Sequence, residues 1–98
     1  MDYGGEAMER HFKVTATEGI HARPAAILVS AIKPFISAVE LKYNGQSANL
    51  RSILSVMTLC VPVHAMITIV AEGDDSKELL DKLSEVIFSQ GIGEGCEN

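Results

Sequence analysis

The sequence predicts an α+β fold: an open-faced β-sandwich whose four-stranded antiparallel sheet carries three helices on one face, in the order βαββαβα. Three observations indicate this class: short runs in which apolar residues alternate, longer runs with helical spacing, and an Asn44-Gly45 pair typical of a tight hairpin turn. The chain of 98 residues, with 47% hydrophobic and 21% charged residues, suits one domain with a buried core. This composition excludes a disordered chain, and no apolar run reaches the ~18 residues of a membrane span.

The first half of the chain shows a strand, a helix and a hairpin. The strand covers residues 11–17, where apolar and polar side chains alternate. An amphipathic helix follows over about residues 22–33 and ends before Pro34. The hairpin pairs residues 38–43 with 46–49, and the second run is short and polar, as is common in an edge strand.

The second half of the chain shows a helix, a strand and a longer helix. The short helix covers about residues 52–59. Residues 65–71 are rich in β-branched side chains, which is typical of a buried strand. The last helix covers about residues 76–90, and Asp75 with Glu78 three positions later resembles a capping box at its start.

These elements leave both ends of the chain outside the domain. Residues 1–10 are expected to form an N-terminal extension, 11–90 the folded domain, and the Gly-rich residues 91–98 a flexible tail. The first ten residues are acidic and contain no apolar run, so they do not resemble a secretory signal. Cys60 and Cys96 are too few for a disulfide framework, and we expect Cys60 to be a small core residue of a cytoplasmic protein.

Charge and spacing also indicate which ligands the chain does not suit. Eight Lys and Arg residues against thirteen Asp and Glu residues give a net charge of −5, which disfavours nucleic-acid binding. The histidines and cysteines lack metal-ligand spacing, and no Gly-rich loop opens a helix to bind a nucleotide. We therefore expect a monomer with no metal, cofactor, nucleic-acid or membrane partner, in which any phosphate must come from another protein.

The segment GIHARPA, residues 19–25, combines His21, Arg23 and Pro24 at the entrance of the first predicted helix. N–H groups of a first helical turn have no intrahelical acceptor, and with the helix dipole they can bind an anion. Arginine binds phosphate oxygens bidentately, while imidazole is both a nucleophile and a good leaving group near neutral pH. The residues therefore fit a reversible phosphohistidine at His21, and they fit an ordinary helix start equally well.

This segment resembles the active-site motif of the HPr family, the histidine-containing phosphocarrier proteins of the bacterial phosphoenolpyruvate-dependent sugar phosphotransferase system. The likeness extends over about residues 11–90, includes NLRSIL at 49–54 and AEG at 71–73, and matches the order of strands and helices. The resemblance implies that His21 is the phosphorylated residue and Arg23 its phosphate partner. It also implies a stoichiometric carrier rather than an enzyme, which receives phosphate from enzyme I and delivers it to enzyme IIA components.

Ser52 and the residues after it have two interpretations each. Ser52 is a favoured N-cap residue, and the resemblance adds phosphorylation by a serine kinase, reversed by a phosphorylase, as in Gram-positive members. Ile53, Leu54 and Met57 are either core residues of the short helix or, as the resemblance implies, an apolar docking surface for partner proteins. The sequence departs from the family pattern at Cys60 and at His64, which is expected at positive φ.

Two other functions remain open. One is a regulatory binding module of carbon catabolite control, a corepressor phosphorylated at Ser52 that engages a transcriptional regulator. Family members devoted to that role lack the active-site histidine, so His21 argues against an exclusive version. The other is a carrier for a nitrogen-related branch or a dihydroxyacetone kinase system, with the same chemistry and different partners.

Overall fold

The computed structural model describes residues 6–96 of the chain, which form one antiparallel sheet and three helices. The elements in chain order are β1 Glu6–Val14, α1 Ala22–Ala31, β2 Ala38–Tyr43, β3 Gln46–Asn49, α2 Ile53–Thr58, β4 Met66–Gly73, α3 Ser76–Ser89 and β5 Gly93–Cys96. The strand order across the sheet is β3-β2-β4-β1-β5, and every pair is antiparallel. The predicted α+β class with three helices is confirmed, but the sheet has five strands, not four.

The fifth strand lies in the segment for which the sequence predicts a flexible tail. Ile92 is buried, and its carbonyl accepts hydrogen bonds from the N–H groups of Thr15 and Ala16, at 2.9 and 3.1 Å. These bonds align the following residues with β1, where Gly93 approaches so closely that an added Cβ would lie 2.5 Å from the Lys13 carbonyl oxygen. Gly93, one of the glycines that suggested fraying, therefore allows a close strand approach.

The first strand also differs from its predicted bounds. It begins at Glu6, within the predicted extension, and ends at Val14. Residues 6–13 pair with residues 66–73 of β4. Because β4 is eight residues long, its pairing with β1 extends back to residue 6. Residues 1–5 of the predicted extension and 97–98 of the predicted tail lie outside the described residues.

The core lies between the sheet and the helices. Alternate residues of the strands and one stripe of each longer helix are buried, as the periods of two and 3.6 predict. These buried side chains include Phe12, Val14, Leu28, Ile32, Leu41, Ile67, Ile69, Leu79, Leu80, Leu83 and Ile87. Helix α3 packs on β1, β4 and β5 while α2 packs near β3, which leaves the other face of the sheet uncovered by helices.

Among residues 6–96, three non-glycine residues, Asn44, Cys60 and His64, have a positive φ. Asn44 and Gly45 have φ of 55° and 80°, the left-handed conformations of a tight hairpin turn, and His64 has the expected positive φ of 74°. Cys60 is not a core residue: it is exposed at φ 53°, directly after α2, where its N–H donates to the Met57 carbonyl. Cys60 thus ends the helix in the left-handed conformation common after a helix C-terminus.

Asp75 does not form the predicted capping box with Glu78. Its side chain makes no cap hydrogen bond to α3; its carboxylate instead accepts from the Ile36 N–H at 2.9 Å, the Ser37 N–H at 3.0 Å and the Ser37 hydroxyl. The contact joins the loop between α1 and β2 to the start of α3. The Ser37 hydroxyl, followed by the Ile36 N–H, holds the pKa of Asp75 below its ordinary value of 3.8.

Replacing Asp75 with asparagine is expected to lower the melting temperature at neutral pH. Because the folded-state pKa of Asp75 lies below the unfolded value, its carboxylate stabilises the fold above about pH 4 and loses this effect as pH falls through the folded-state pKa. The melting temperatures of wild type and Asp75→Asn, followed by circular dichroism, should therefore converge at acidic pH. Asp74→Asn, an exposed neighbour with the same charge change, is the control. A gap that stays constant from neutral to acidic pH would contradict the assignment.

Candidate functional site

His21 occupies the N-cap position of α1, where the helix start presents it to solvent. Its backbone is extended, with φ −92° and ψ −165°, and its carbonyl accepts the Ala25 N–H at 3.0 Å. The side chain is 43% exposed and makes no cap hydrogen bond to the helix. The imidazole is therefore accessible, and it leaves the first-turn N–H groups beside it available to an anion.

The segment before His21 is held against the segment that follows α2. Gly19 adopts φ +70°, and the Ile20 N–H donates to the Val61 carbonyl at 2.9 Å. An added Cβ at Gly19 would lie 2.1 Å from that same carbonyl oxygen, so only glycine fits here. The buried side chain of Ile20 fixes the segment further. The backbone of His21 is thus positioned by the contacts of the two residues before it.

Arg23 and His21 line one shallow cleft on the surface. Pro24 in the first turn is buried and anchors the helix start, while Arg23 is exposed. The cleft also includes Gln90 and Gly91, which follow the end of α3. A phosphoryl group on the imidazole would meet a guanidinium, first-turn N–H groups and the positive end of the helix dipole.

Both ring nitrogens of His21 have an oxygen nearby. Nδ1 lies 3.2 Å from the Gly19 carbonyl oxygen, and Nε2 lies 3.5 Å from Oε1 of Glu18. The sequence alone did not single out Glu18, Gln90 or Gly91 as site residues. The spacing of Glu18 three positions before His21 is a signal that could have found the first contact. No local pattern indicates the other two, because α3 brings them to the cleft through the tertiary fold.

Ser52 is the N-cap of α2, as its residue type predicts. Its backbone is extended, with φ −119° and ψ 113°, and its Oγ accepts the Ser55 N–H at 3.2 Å. The predicted docking residues Ile53, Leu54 and Met57 are 36%, 77% and 37% exposed, whereas Val56 is buried. These three residues, called the α2 patch below, therefore form an exposed apolar surface; their docking role stays a prediction.

Arg51, which sequence reasoning did not single out, connects the start of α2 to the end of α1. Its guanidinium donates to the carbonyls of Ile32 at 3.2 Å, Phe35 at 2.7 Å and Ser37 at 2.8 Å. These carbonyls lie just beyond or at the C-terminal end of α1, so the cation also faces the negative end of the helix dipole. The acceptors lie 14 to 19 positions away in the chain, which is why no sequence pattern reveals them.

Within residues 6–96, no group of three or more His, Cys, Asp and Glu side chains is arranged to hold a metal ion. None of the helices described there is long and apolar enough to cross a membrane. Cys60 and Cys96 are free thiols.

The fold and the site define a class: small α+β proteins with an open-faced sheet that expose a histidine at the start of a helix, beside an arginine. Comparison with known families makes the assignment specific. The family model for the PTS HPr component phosphorylation site matches residues 8–89. The chain therefore belongs to the HPr family, the phosphocarrier proteins of the phosphotransferase system.

Solved structures of this family share the fold over most of the chain. The histidine-containing phosphocarrier protein of Mycoplasma is 27% identical with a TM-score of 0.86, and the match covers 90% of this chain and 100% of that one. The phosphocarrier protein HPr of Bacillus anthracis is 30% identical with a TM-score of 0.76, covering 84% and 98%. Crh of Bacillus subtilis, described as a catabolite repression protein that forms a domain-swapped dimer, is 34% identical with a TM-score of 0.68, covering 82% and 92%. Overall similarity does not separate carriers from Crh.

Proposed function

We propose that the protein is a stoichiometric phosphoryl carrier of sugar uptake and is not itself an enzyme. His21 accepts a phosphoryl group from enzyme I, which is charged by phosphoenolpyruvate, and passes it to an enzyme IIA component. The observation that carries the proposal is the exposed imidazole at the N-cap of α1, in one cleft with Arg23. Both donor and acceptor are proteins, so we propose a cytoplasmic monomer that meets each partner in turn.

The proposed reaction forms and later breaks one nitrogen–phosphorus bond at His21. An exposed nitrogen lone pair forms the new nitrogen–phosphorus bond, and the neutral imidazole later departs when the group moves on. The first-turn N–H groups and Arg23 neutralise the charge of the phosphoryl oxygens, because both present donors at the same end of α1. The site needs no deep cleft, since the partner protein closes over an exposed carrier residue.

The proposal is tested by incubating the chain with phosphoenolpyruvate and enzyme I, followed by intact-mass analysis. We expect one added phosphate that is labile in acid and stable in base, as a phosphohistidine is. A reaction without enzyme I is the control and should leave the mass unchanged. No added phosphate in the complete reaction would refute the carrier function.

Arg23→Glu is expected to slow phosphotransfer far more than it alters stability. Arg23 is exposed at the start of α1, so reversing its charge leaves the core intact. Losing one charge-assisted contact costs roughly 1.5–3 kcal/mol, which is about tenfold or more in rate if the contact tightens in the transition state. Rates with both partners are measured by rapid quench, with Lys33→Glu at the other end of the helix as control. Unchanged rates would show that Arg23 is only a solvated side chain.

A regulatory role at Ser52 is the second candidate function. The similarity to Crh supports it, as does the position of the Ser52 hydroxyl at a helix N-cap directly before the α2 patch. In this proposal a serine kinase adds phosphate, a phosphorylase removes it, and the phosphorylated form engages a transcriptional regulator. The two functions are compatible, because His21 and Ser52 lie on different helices.

Negative charge at Ser52 is expected to weaken docking to enzyme I without disturbing the fold. A phosphate carries about −1.5 to −2 charges and must be desolvated if the apolar α2 patch is covered. Ser52→Asp should therefore reduce phosphotransfer from enzyme I, while the dipole of α2 keeps its melting temperature unchanged or slightly raised. Ser52→Ala should transfer normally and lose about 1 kcal/mol of stability, because its cap bond to the Ser55 N–H is missing.

The control for Ser52→Asp is Ser47→Asp, which places the same charge on the exposed strand β3. Binding to enzyme I is measured by titration calorimetry alongside the transfer rate. If Ser52→Asp binds and accepts phosphate as the wild type does, the α2 patch is not the docking surface. Helix α2 would then have a structural role alone.

A further inference from the structure

Glu18 places a carboxylate against the ring that the proposed function phosphorylates. Its Oε1 lies 3.5 Å from Nε2 of His21, and its side chain is 77% exposed. Within residues 6–96, the ion pairs of the protein connect Glu18 with His21 and not with a lysine or arginine. The charge of Glu18 therefore faces the imidazole without a basic side chain paired to it.

We propose that Glu18 sets the phosphoryl-transfer potential of the carrier by raising the free energy of the phosphorylated form relative to the free form. This inference rests on the proposed function, since it concerns a phosphoryl group on His21. It assigns Glu18 as a positioning residue that acts through His21. The expected result is a carrier that releases phosphate more readily than the same chain without this charge.

In the free form, the contact between Glu18 and His21 is favourable when both ring nitrogens carry a proton. The Gly19 carbonyl oxygen, 3.2 Å from Nδ1, can only accept, so this contact places a proton on Nδ1. The carboxylate of Glu18 then lies beside Nε2 and attracts the ring whenever that nitrogen also carries a proton. Before its lone pair can attack phosphorus, Nδ1 must lose its contact with the Gly19 carbonyl, or Nε2 must lose its contact with Glu18.

In the phosphorylated form, the same carboxylate becomes a repulsive neighbour. A phosphoryl group brings about two negative charges to the ring. On Nε2 it would occupy the space that Oε1 of Glu18 approaches, and on Nδ1 it would remain on the same small ring. Both placements put like charges near each other, so Glu18 raises the free energy of the phosphorylated form relative to the free form.

Arg23 works in the opposite direction in the same cleft. Its guanidinium attracts the phosphoryl oxygens, whereas Glu18 repels them, and both side chains line the cleft around His21. The first-turn N–H groups of α1 add to the attraction. A carrier must both accept and release the same phosphoryl group. The attraction by Arg23 favours acceptance, and the repulsion by Glu18 favours release. Glu18 adjusts this balance without contributing to the fold, because its side chain is largely exposed.

The experiment is a direct competition for phosphate between two versions of the chain. Wild type and uniformly ¹⁵N-labelled Glu18→Gln are mixed in equal amounts with catalytic enzyme I and enough phosphoenolpyruvate to charge half of the total carrier. Enzyme I then moves the group between the two chains, and each transfer breaks one nitrogen–phosphorus bond at His21 and forms another. Intact-mass analysis gives the free and phosphorylated amounts of each chain at equilibrium. The partition ratio is the phosphorylated-to-free ratio of Glu18→Gln divided by that of wild type.

The partition ratio is expected to favour Glu18→Gln by about 1.5-fold to fivefold, the size of effect that exposed charge pairs produce. High salt should bring the ratio back towards one, because screening weakens an electrostatic effect. Glu18→Asp keeps the charge and should also give a ratio nearer to one. A merely structural role would move none of these ratios.

The matched control is Glu85→Gln. Glu85 is also exposed, at 69%, and forms an i,i+3 ion pair with Lys82 at 3.8 Å, so its substitution makes the same charge change away from the ring. Its partition ratio against wild type should be one. If Glu18→Gln also gives one while both chains carry phosphate on His21, the inference is overturned and the carrier function stands. If neither chain takes phosphate, the carrier function fails, and the inference falls with it.

Discussion

A chain with His21→Ala is expected to fold normally and to accept no phosphate from enzyme I. The imidazole is exposed and makes no cap bond to α1, so its loss removes only the contact of Nδ1 with the Gly19 carbonyl oxygen and the exposed contact of Nε2 with Glu18. The backbone bond from the Ala25 N–H to the carbonyl of residue 21 does not depend on the side chain. Stability should therefore change by about 1 kcal/mol or less, the typical contribution of one hydrogen bond.

The matched control for this variant is His11→Ala. His11 lies on β1, where Nδ1 is 2.9 Å from the Thr68 hydroxyl oxygen and Nε2 is 3.3 Å from a Glu9 carboxylate oxygen. Like His21, it therefore has an acidic neighbour of its own, but it does not lie at the start of a helix. After incubation with phosphoenolpyruvate and enzyme I, intact mass should show one phosphate on His11→Ala and none on His21→Ala. Thermal unfolding confirms that both variants are folded. Equal labelling of the two would place the phosphohistidine elsewhere.

The parts of the fold that could be predicted are those whose signals are local. Asn44-Gly45 indicated the hairpin because both residues tolerate the left-handed conformations that its turn requires, and the structure shows positive φ at both. Residues 19–25 indicated a helix start because Pro24 is compatible with the first turn, and α1 begins at Ala22. In both cases the residue that produces the signal also forms the structure.

The parts that could not be predicted depend on partners distant in the chain. β5 forms because Gly93 can approach the Lys13 carbonyl, and composition alone makes the same glycines resemble a frayed tail. Asp75 suggested a local cap, but its carboxylate accepts hydrogen bonds from backbone and hydroxyl donors of residues 36 and 37 instead. Arg51 likewise finds its three carbonyl acceptors only once α1 and α2 have packed. Tertiary contacts therefore decide how the site is supported, while local sequence decides which residues form it.

Gly19→Ala is expected to damage both the fold and the carrier site. An added Cβ would lie 2.1 Å from the Val61 carbonyl oxygen and 2.9 Å from Cα of Pro62, so the backbone must move and weaken the bond from the Ile20 N–H to Val61. Alanine at a φ of +70° costs roughly 1–2 kcal/mol, and the lost hydrogen bond costs a further ~0.5–1.5 kcal/mol. The melting temperature should therefore fall by about 10 °C or more. Phosphotransfer should slow by up to about 100-fold, because the shift displaces His21 from its place at the helix start.

Gly45→Ala separates the two causes in this prediction. Gly45 also has a positive φ, of 80°, but an added Cβ there meets nothing within 4 Å, so that variant carries the backbone strain without the clash. It should lose roughly 1–2 kcal/mol of stability and transfer phosphate at the wild-type rate. Both variants are compared by thermal unfolding and by quenched phosphotransfer at a temperature where each is fully folded. If Gly19→Ala behaves as Gly45→Ala does, the contact with Val61 does not hold the segment before His21, and the position of the imidazole must be set by α1 alone.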